Sequence, residues 1–278
     1  MVIFQLFYAA IVIWLKAEAE HLSAALAYYI PFALTPLLLI SISIVGLVSG
    51  TGRVAELLYS WGAAIDPGLA ELFSTAVQNF EVLTEQFAVP LLAVVFFSGM
   101  IFVTMNFLAF SLHKVSGQVI TGWWHRLRVL GRCLLFVVVI QAYVLFVIVL
   151  EELLQIAADF FGSTTVLYLK SPALLVSTGL LCLIGYSVLI TKAASMPARM
   201  YASLVVTGLF MVAGFVVRLH LATAPIPDLF GATGMIFVLL LWLYVIATII
   251  LFGAAFARAY DERLLSTKYK SISPRNFW

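Results

Sequence analysis

Long apolar runs recur along this chain, near 22–49, 88–112, 132–150, 172–191, 200–221 and 233–256. Each holds about 20 mainly apolar residues, the length an α-helix needs to cross the hydrocarbon core of a bilayer. Backbone groups in hydrocarbon must be satisfied within their own segment, which favours helices. The pattern predicts an all-α integral membrane protein with six transmembrane helices in a single polytopic domain spanning 1–278.

Two further stretches are patterned differently. Residues 2–15 are apolar but too short to span, and Lys16 follows them. Ala17-Glu18-Ala19 has the look of a cleavage triplet, yet no Lys or Arg precedes the apolar run, as a signal peptide would require. The expectation is an N-terminal interfacial helix over 1–20, retained on the membrane surface. In 51–87, Val54, Leu57, Leu58 and Trp61 recur at helical spacing. After Asp66-Pro67-Gly68 the same is true of Leu69, Leu72, Phe73, Ala76, Val77, Phe80 and Leu83. Asp66 suits an N-cap and Pro67 the first helical position. Two amphipathic extracytoplasmic helices are expected here, lying on lipid or roofing a cavity.

Composition agrees with the periodicity. The 278 residues are 64% hydrophobic and 10% charged, against about 45–50% and 25% for a soluble domain. A net charge of +2 gives no reason to expect a nucleic-acid partner. The position of the charges says more than their sum. With the N-terminus inside, the inner segments hold Lys16, Lys114, Arg126, Arg128, Arg132, Lys192, Arg199, Arg258, Arg263, Lys268, Lys270 and Arg275. The outer segments hold only Arg53, Lys170 and Arg218. That bias predicts both termini in the cytoplasm. Trp123 and Trp124 fit an aromatic belt at the inner surface. The basic tail over 257–278 reads as a stop signal that fixes topology, or as a site that attracts anionic headgroups. Cys133 and Cys182 belong to different apolar runs and are expected to be free thiols. No Cys or His spacing suits a metal, and no cofactor is implied.

Two stretches carry a more specific signal. Residues 22–40 read LSAALAYYIPFALTPLLLI, and residues 229–263 read LFGATGMIFVLLLWLYVIATIILFGAAFARAYDER. Together with the order of the six runs, they resemble the YihY/BrkB family of bacterial inner-membrane proteins. The first is similar to that family's A-L-A-Y-Y…S-L-x-P-L-L opening of the first span, the second to its last span with L-L-W-L-Y and a G-A-E ending. The resemblance implies a six-helix fold and a bacterial cytoplasmic-membrane location. Members were once labelled a ribonuclease, a label regarded as mistaken, and roles in virulence and solute export have been suggested. The acid of the G-A-E ending falls on Ala255 here, and the family's polar or acidic position in the second span falls on Asn106. A proton relay built on those carboxylates does not carry over to this chain.

Several residues within the spans are candidates for function. Pro31 and Pro36 interrupt the first span, each without an amide hydrogen and each crowding the carbonyl four residues back, on Ala27 and Phe32. Tyr28, Pro31 and Thr35 share a helical face. The kink is read either as a broken helix lining a solute path or as a fixed bend satisfied by neighbouring helices. Asn106, in a seven-residue series with Gly99 and His113, and Gln141 in the third span are amides at depth. Each lines a cavity or holds helices together. Arg218 near the outer end of the fifth span either pairs with Glu151 or Glu152 as an outer gate or snorkels to the headgroups.

No enzyme motif is present: no G-x-S-x-G, no H-E-x-x-H, no P-loop. Acids are dispersed and mostly on the outer side, so the expectation is no enzymatic activity. The reading is a transporter or exporter of small solutes, with the lipid bilayer and a small-molecule solute as partners. The alternative is a non-transporting envelope scaffold, assembly factor or lipid-interacting protein. Gly46 and Gly50 permit close helix approach in a homo-oligomer.

Overall fold

The computed structural model describes residues 2–49, Tyr59, Thr75, 88–118, 123–161, 163–190, 194–223 and 226–272. They form seven helices: α1 (Val2–Lys16), α2 (Ala19–Ser49), α3 (Ala88–Ser116), α4 (Trp123–Phe161), α5 (Ser163–Leu189), α6 (Met196–Thr223) and α7 (Ile226–Ile272). No strand occurs among the described residues. Among the described residues, four stretches are long and apolar enough to cross a membrane: Leu127–Val147, Pro172–Leu189, Met196–Val216 and Ile236–Arg263. The runs at 22–49 and 88–112 lie within α2 and α3. The expected amphipathic pair over 51–87 lies outside the described residues, apart from Tyr59 and Thr75.

Neighbouring helices follow the chain. α2 packs on α3, α3 on α4, α4 on α5, α5 on α6 and α6 on α7, while α7 returns against α2, α3 and α1. α7 is therefore the element around which the others gather. Its run Gly253-Ala254-Ala255-Phe256-Ala257 is buried without a break. A helix can be covered on every side only if its side chains are small, and four of these five are Gly or Ala. Ala198, Ala202 and Val206 of α6 are also fully covered. Ala255, where the family resemblance placed an acid, is completely buried.

The outward surface is apolar, as a lipid-solvated bundle requires. On α4, Leu134, Leu135, Val138, Phe146 and Val149 are exposed, and on α6 Leu204, Met211, Val212 and Phe215. Several hydroxyls within the helices bond a carbonyl one turn back, which removes their need for a distant partner. Ser23 donates to Ala19 O (2.7 Å), Ser111 to Phe107 O (2.8 Å), Thr178 to Leu174 O (2.8 Å) and Thr207 to Ser203 O (2.7 Å).

α1 fits against α7 through Phe7, whose ring centroid lies 6.0 Å from that of Phe252 and 5.4 Å from that of Phe256. Gln5 near its start accepts a hydrogen bond from Arg263 (2.6 Å), and Glu18 just beyond its end pairs with Lys114 (3.0 Å). Both ends of α1 are thus held at the same end of the bundle. Its outer face shows Phe4, Tyr8, Ile11 and Leu15 at helical spacing, all exposed. The helix stops at Lys16, four residues short of the expected 1–20. Glu18 takes a left-handed conformation (φ 54°), and α2 starts at once. The stretch read as a tail is helical as far as Ile272, because α7 continues past the apolar run.

Candidate functional site

Two polar regions emerge, one at depth beside the α2 prolines and one at the basic end of the bundle. At depth, α2 remains helical through Pro31 and Pro36. Side chains from two neighbouring helices reach its backbone around them. The single hydroxyl hydrogen of Thr104 in α3 is shared between the carbonyl of Tyr29 (3.1 Å) and that of Met100 in its own helix (2.8 Å). Gln141 of α4 donates through Nε2 to the carbonyl of Leu37 (3.1 Å). The two prolines lie between these acceptors. The cross-helix bonds land on Tyr29 and Leu37, and not on the Ala27 and Phe32 carbonyls that the sequence singles out. The Tyr29 ring also packs on that of Phe107, tilted by 47° with centroids 5.2 Å apart, in the α2–α3 seam beside Thr104.

The other residues expected in this region are placed differently. Pro36 is buried and Pro31 half-buried. Tyr28 is 61% exposed, its ring against Tyr29 and Phe32, so it faces away from the seam. Asn106 bonds the Phe102 carbonyl of its own helix (2.9 Å), between exposed Phe102 and Phe110. Of the two amides, Gln141 joins helices and Asn106 serves its own. The Thr35 side chain lies outside the described residues. So do those of Arg218, Glu151 and Glu152, and with them the expected outer gate, and those of Trp123 and Trp124. Cys133 and Cys182 are not bridged; the Cys133 thiol is directed at the Met105 carbonyl (3.4 Å).

The basic end is held by long-range polar contacts. α3 ends in a Schellman motif, with Gln118 N–H bonding His113 O (2.9 Å) and Gly117 N–H bonding Lys114 O (3.3 Å). Gly117 has φ +76°, a conformation open to glycine. Arg258 of α7 lies directly over it: a Cβ built on Gly117 would sit 2.7 Å from Nη1 and 2.9 Å from Cζ. That guanidinium donates to the Val115 carbonyl (3.4 Å) and, through Nε, to Glu262 (2.7 Å). One turn on, Asp261 accepts from Ser195 twice, from the backbone N–H (2.6 Å) and the hydroxyl (2.5 Å). Ser195 precedes α6 and its Oγ accepts from Ala198 N–H (3.4 Å), so it is the N-cap. Lys114, hydrogen-bonded to Glu18, holds that carboxyl below the usual carboxylate range. These contacts gather the Lys/Arg-bearing segments of α1, α3, α6 and α7 at one end. Sequence reading treated Arg258 and Arg263 as topology markers and overlooked Ser195 and Asp261. The Ser-Met-Pro-Ala start of α6 was the available capping signal.

A helical bundle with lipid-type surface on its spans is a membrane protein, and its residues can be compared with known families on that basis. The profile of the family described as Virulence factor BrkB matches residues 11–275, and the chain belongs to that family. No curated protein and no solved structure matches it. Among the described residues, no group of three or more His, Cys, Asp or Glu side chains is placed to hold a metal ion.

Proposed function

We propose that this protein is a transporter that moves small solutes, most simply as an exporter, across the bacterial cytoplasmic membrane. Six helices, α2 to α7, form the spans in this reading, α1 lies at the inner surface and both termini are cytoplasmic. The observation that carries it is the bracketing of Pro31 and Pro36 by Thr104 and Gln141. Polar side chains from two different helices meet the backbone of proline-bearing α2 at depth; α2 stays helical there, and in this reading alternating access loosens it at the prolines. The protein's own residues offer no nucleotide-binding motif, so the driving force is an ion gradient or the solute gradient itself. No enzymatic step and no nucleic-acid partner belong to this reading.

The test is solute flux into liposomes, comparing the protein with Gln141→Leu and Asn106→Leu variants. Flux that falls with Gln141→Leu supports the reading. Absence of flux across a broad panel of ions, amino acids, sugars and nucleosides overturns it. A second reading, a lipid-interacting scaffold, is favoured by one feature: the exposed Phe4, Tyr8, Ile11 and Leu15 stripe of α1. It predicts intact membrane association with no flux.

A further inference from the structure

We propose that the first turns of α4 form a binding site for an anionic glycerophospholipid, with its phosphate at Arg128 and an acyl chain in a notch at Gly131. The site stands apart from the transport reading and does not rest on it. The rotation of α4 about its axis sets the frame. Val129 and Cys133 are buried, the Cys133 thiol directed at the Met105 carbonyl of α3 (3.4 Å), and Phe136 lies against Gly185 of α5. The opposite face shows Leu127, Arg128, Gly131, Leu134, Leu135 and Val138, all exposed. On a helix surface the neighbours of a residue are those three and four positions away. For Gly131 these are Leu127, Arg128, Leu134 and Leu135, so the glycine is a bare spot ringed by leucines and one cation.

No packing contact explains that glycine. Among the described residues, no atom lies within 4 Å of a Cβ built on it. It sits inside a continuous helix, where only proline is a poorer choice. A bare spot on an outward face lets something from outside approach the backbone closely. Charge decides what that is. Arg128 stands at the rim and half-buried Arg132 one turn further on, while α4 holds no Asp or Glu before Glu151. Because α4 begins just after α3 ends, these arginines share the basic end, at the start of the apolar stretch Leu127–Val147. Cation and apolar surface meet there, as phosphate and chains meet in a lipid. A guanidinium takes a phosphate through paired hydrogen bonds. A soluble anion would use the arginine and leave the notch empty, and a neutral chain would use the notch and leave the arginine. One molecule with both parts fits both. Gly208 of α6 supplies the contrast: it is exposed among Leu204, Met211 and Val212 with open space at its Cβ, but none of its helical neighbours is charged.

The experiment is native mass spectrometry of the full-length protein in a non-ionic detergent, titrated with dioleoyl phosphatidylglycerol or with dioleoyl phosphatidylcholine. Gly131→Leu fills the notch from an exposed position with room for the side chain, and Gly208→Leu is its matched control. The expected result is that the first phosphatidylglycerol is held about tenfold more tightly than the first phosphatidylcholine. Arg128→Gln lowers the affinity for phosphatidylglycerol by about tenfold, the change expected for losing hydrogen bonds between charged groups. Gly131→Leu also weakens it, with Arg128 still in place, whereas Gly208→Leu does not. Inorganic phosphate in large excess does not displace the lipid. Equal affinity for the two lipids overturns the site, as does an Arg128→Gln protein that binds like the wild type. A Gly131→Leu protein that binds like the wild type, or displacement by inorganic phosphate, overturns it in favour of an arginine that meets soluble anions. Equal losses in Gly131→Leu and Gly208→Leu overturn it in favour of unspecific solvation by lipid.

Discussion

Asp261 grips Ser195 at two points, taking its backbone N–H at 2.6 Å and its hydroxyl at 2.5 Å, across 66 residues of sequence. The carboxylate lies at the N-terminus of α6, where the helix dipole favours negative charge. It also orients the N-cap hydroxyl, whose oxygen is then free to accept from Ala198. One side chain therefore fixes both the start of α6 and the far end of α7.

Removing either partner tests this directly. Ser195→Ala deletes the cap and one of the two bonds, and is expected to destabilise by about 0.5–2 kcal/mol. Asp261→Ala has a similar effect, and the two substitutions are not additive because each removes the same interaction. Thermal unfolding in detergent micelles measures it. A double variant as destabilised as the sum of the singles would show that the two residues act separately.

Gly117 is constrained twice, by its positive φ and by the Arg258 guanidinium above it. Gly117→Ala places a Cβ in the left-handed region, a cost of roughly 1–2 kcal/mol, and displaces Arg258. In an Arg258→Ala background the steric part vanishes, so Gly117→Ala should then cost only the backbone part. Melting temperatures of the four proteins in this cycle check it. The prediction fails if Gly117→Ala is equally damaging with and without Arg258.

The Glu18–Lys114 pair sets an acid limit. Lys114, first by its hydrogen bond and then by its charge, lowers the Glu18 pKa from an ordinary 4.5. A carboxyl with a depressed folded-state pKa contributes stability that is present above the unfolded value and is lost as pH falls through the folded one. The contribution therefore holds at neutral pH and declines below about pH 4.5. Glu18→Gln is expected to flatten this part of the melting-temperature profile between pH 6 and 3. High salt should reduce the difference between the two proteins, because the pair is solvent-exposed. An unchanged acid limb in Glu18→Gln would assign it to other carboxylates.

The sequence revealed the elements better than their contacts. Five of the six long apolar runs lie wholly within a helix and the sixth, 172–191, as far as Leu189, because the need to satisfy a helical backbone in an apolar medium is written into length and hydropathy alone. The lone Lys16 stands at the last residue of α1, although the expected helix ran on to residue 20. Gln141 was legible as an amide at depth, but its acceptor is the Leu37 carbonyl, and a backbone atom leaves no trace in residue identity. Asn106 has the same chemistry and serves its own helix; only the rotation of α3 about its axis separates the two outcomes. Ser195 carried a capping signal in the Ser-Met-Pro-Ala start of α6, but its pairing with Asp261 was invisible for a related reason: the return of α7 beside the α5–α6 junction is written at neither residue.

Tyr186 and Gly253 offer the sharpest test of packing at the centre. The tyrosine hydroxyl reaches the Ile250 carbonyl because Gly253 has no side chain in the way. Gly253→Ala puts a methyl into space already held by the hydroxyl and by Val206, and overpacking of this kind costs roughly 1–3 kcal/mol. Tyr186→Phe alone removes one hydrogen bond, about 1 kcal/mol, and its carbonyl partner keeps a helical donor. The combination Tyr186→Phe/Gly253→Ala should recover part of the loss, since the oxygen that collides with the methyl is gone; Val206 remains, so recovery is incomplete, and Val206→Ala added to the pair should supply more. Melting temperatures in micelles give the order: wild type, Tyr186→Phe, the double variant, then Gly253→Ala. A double variant less stable than Gly253→Ala would mean that the hydroxyl is not the obstacle, and that the glycine is needed for the approach of the α5 and α6 backbones instead.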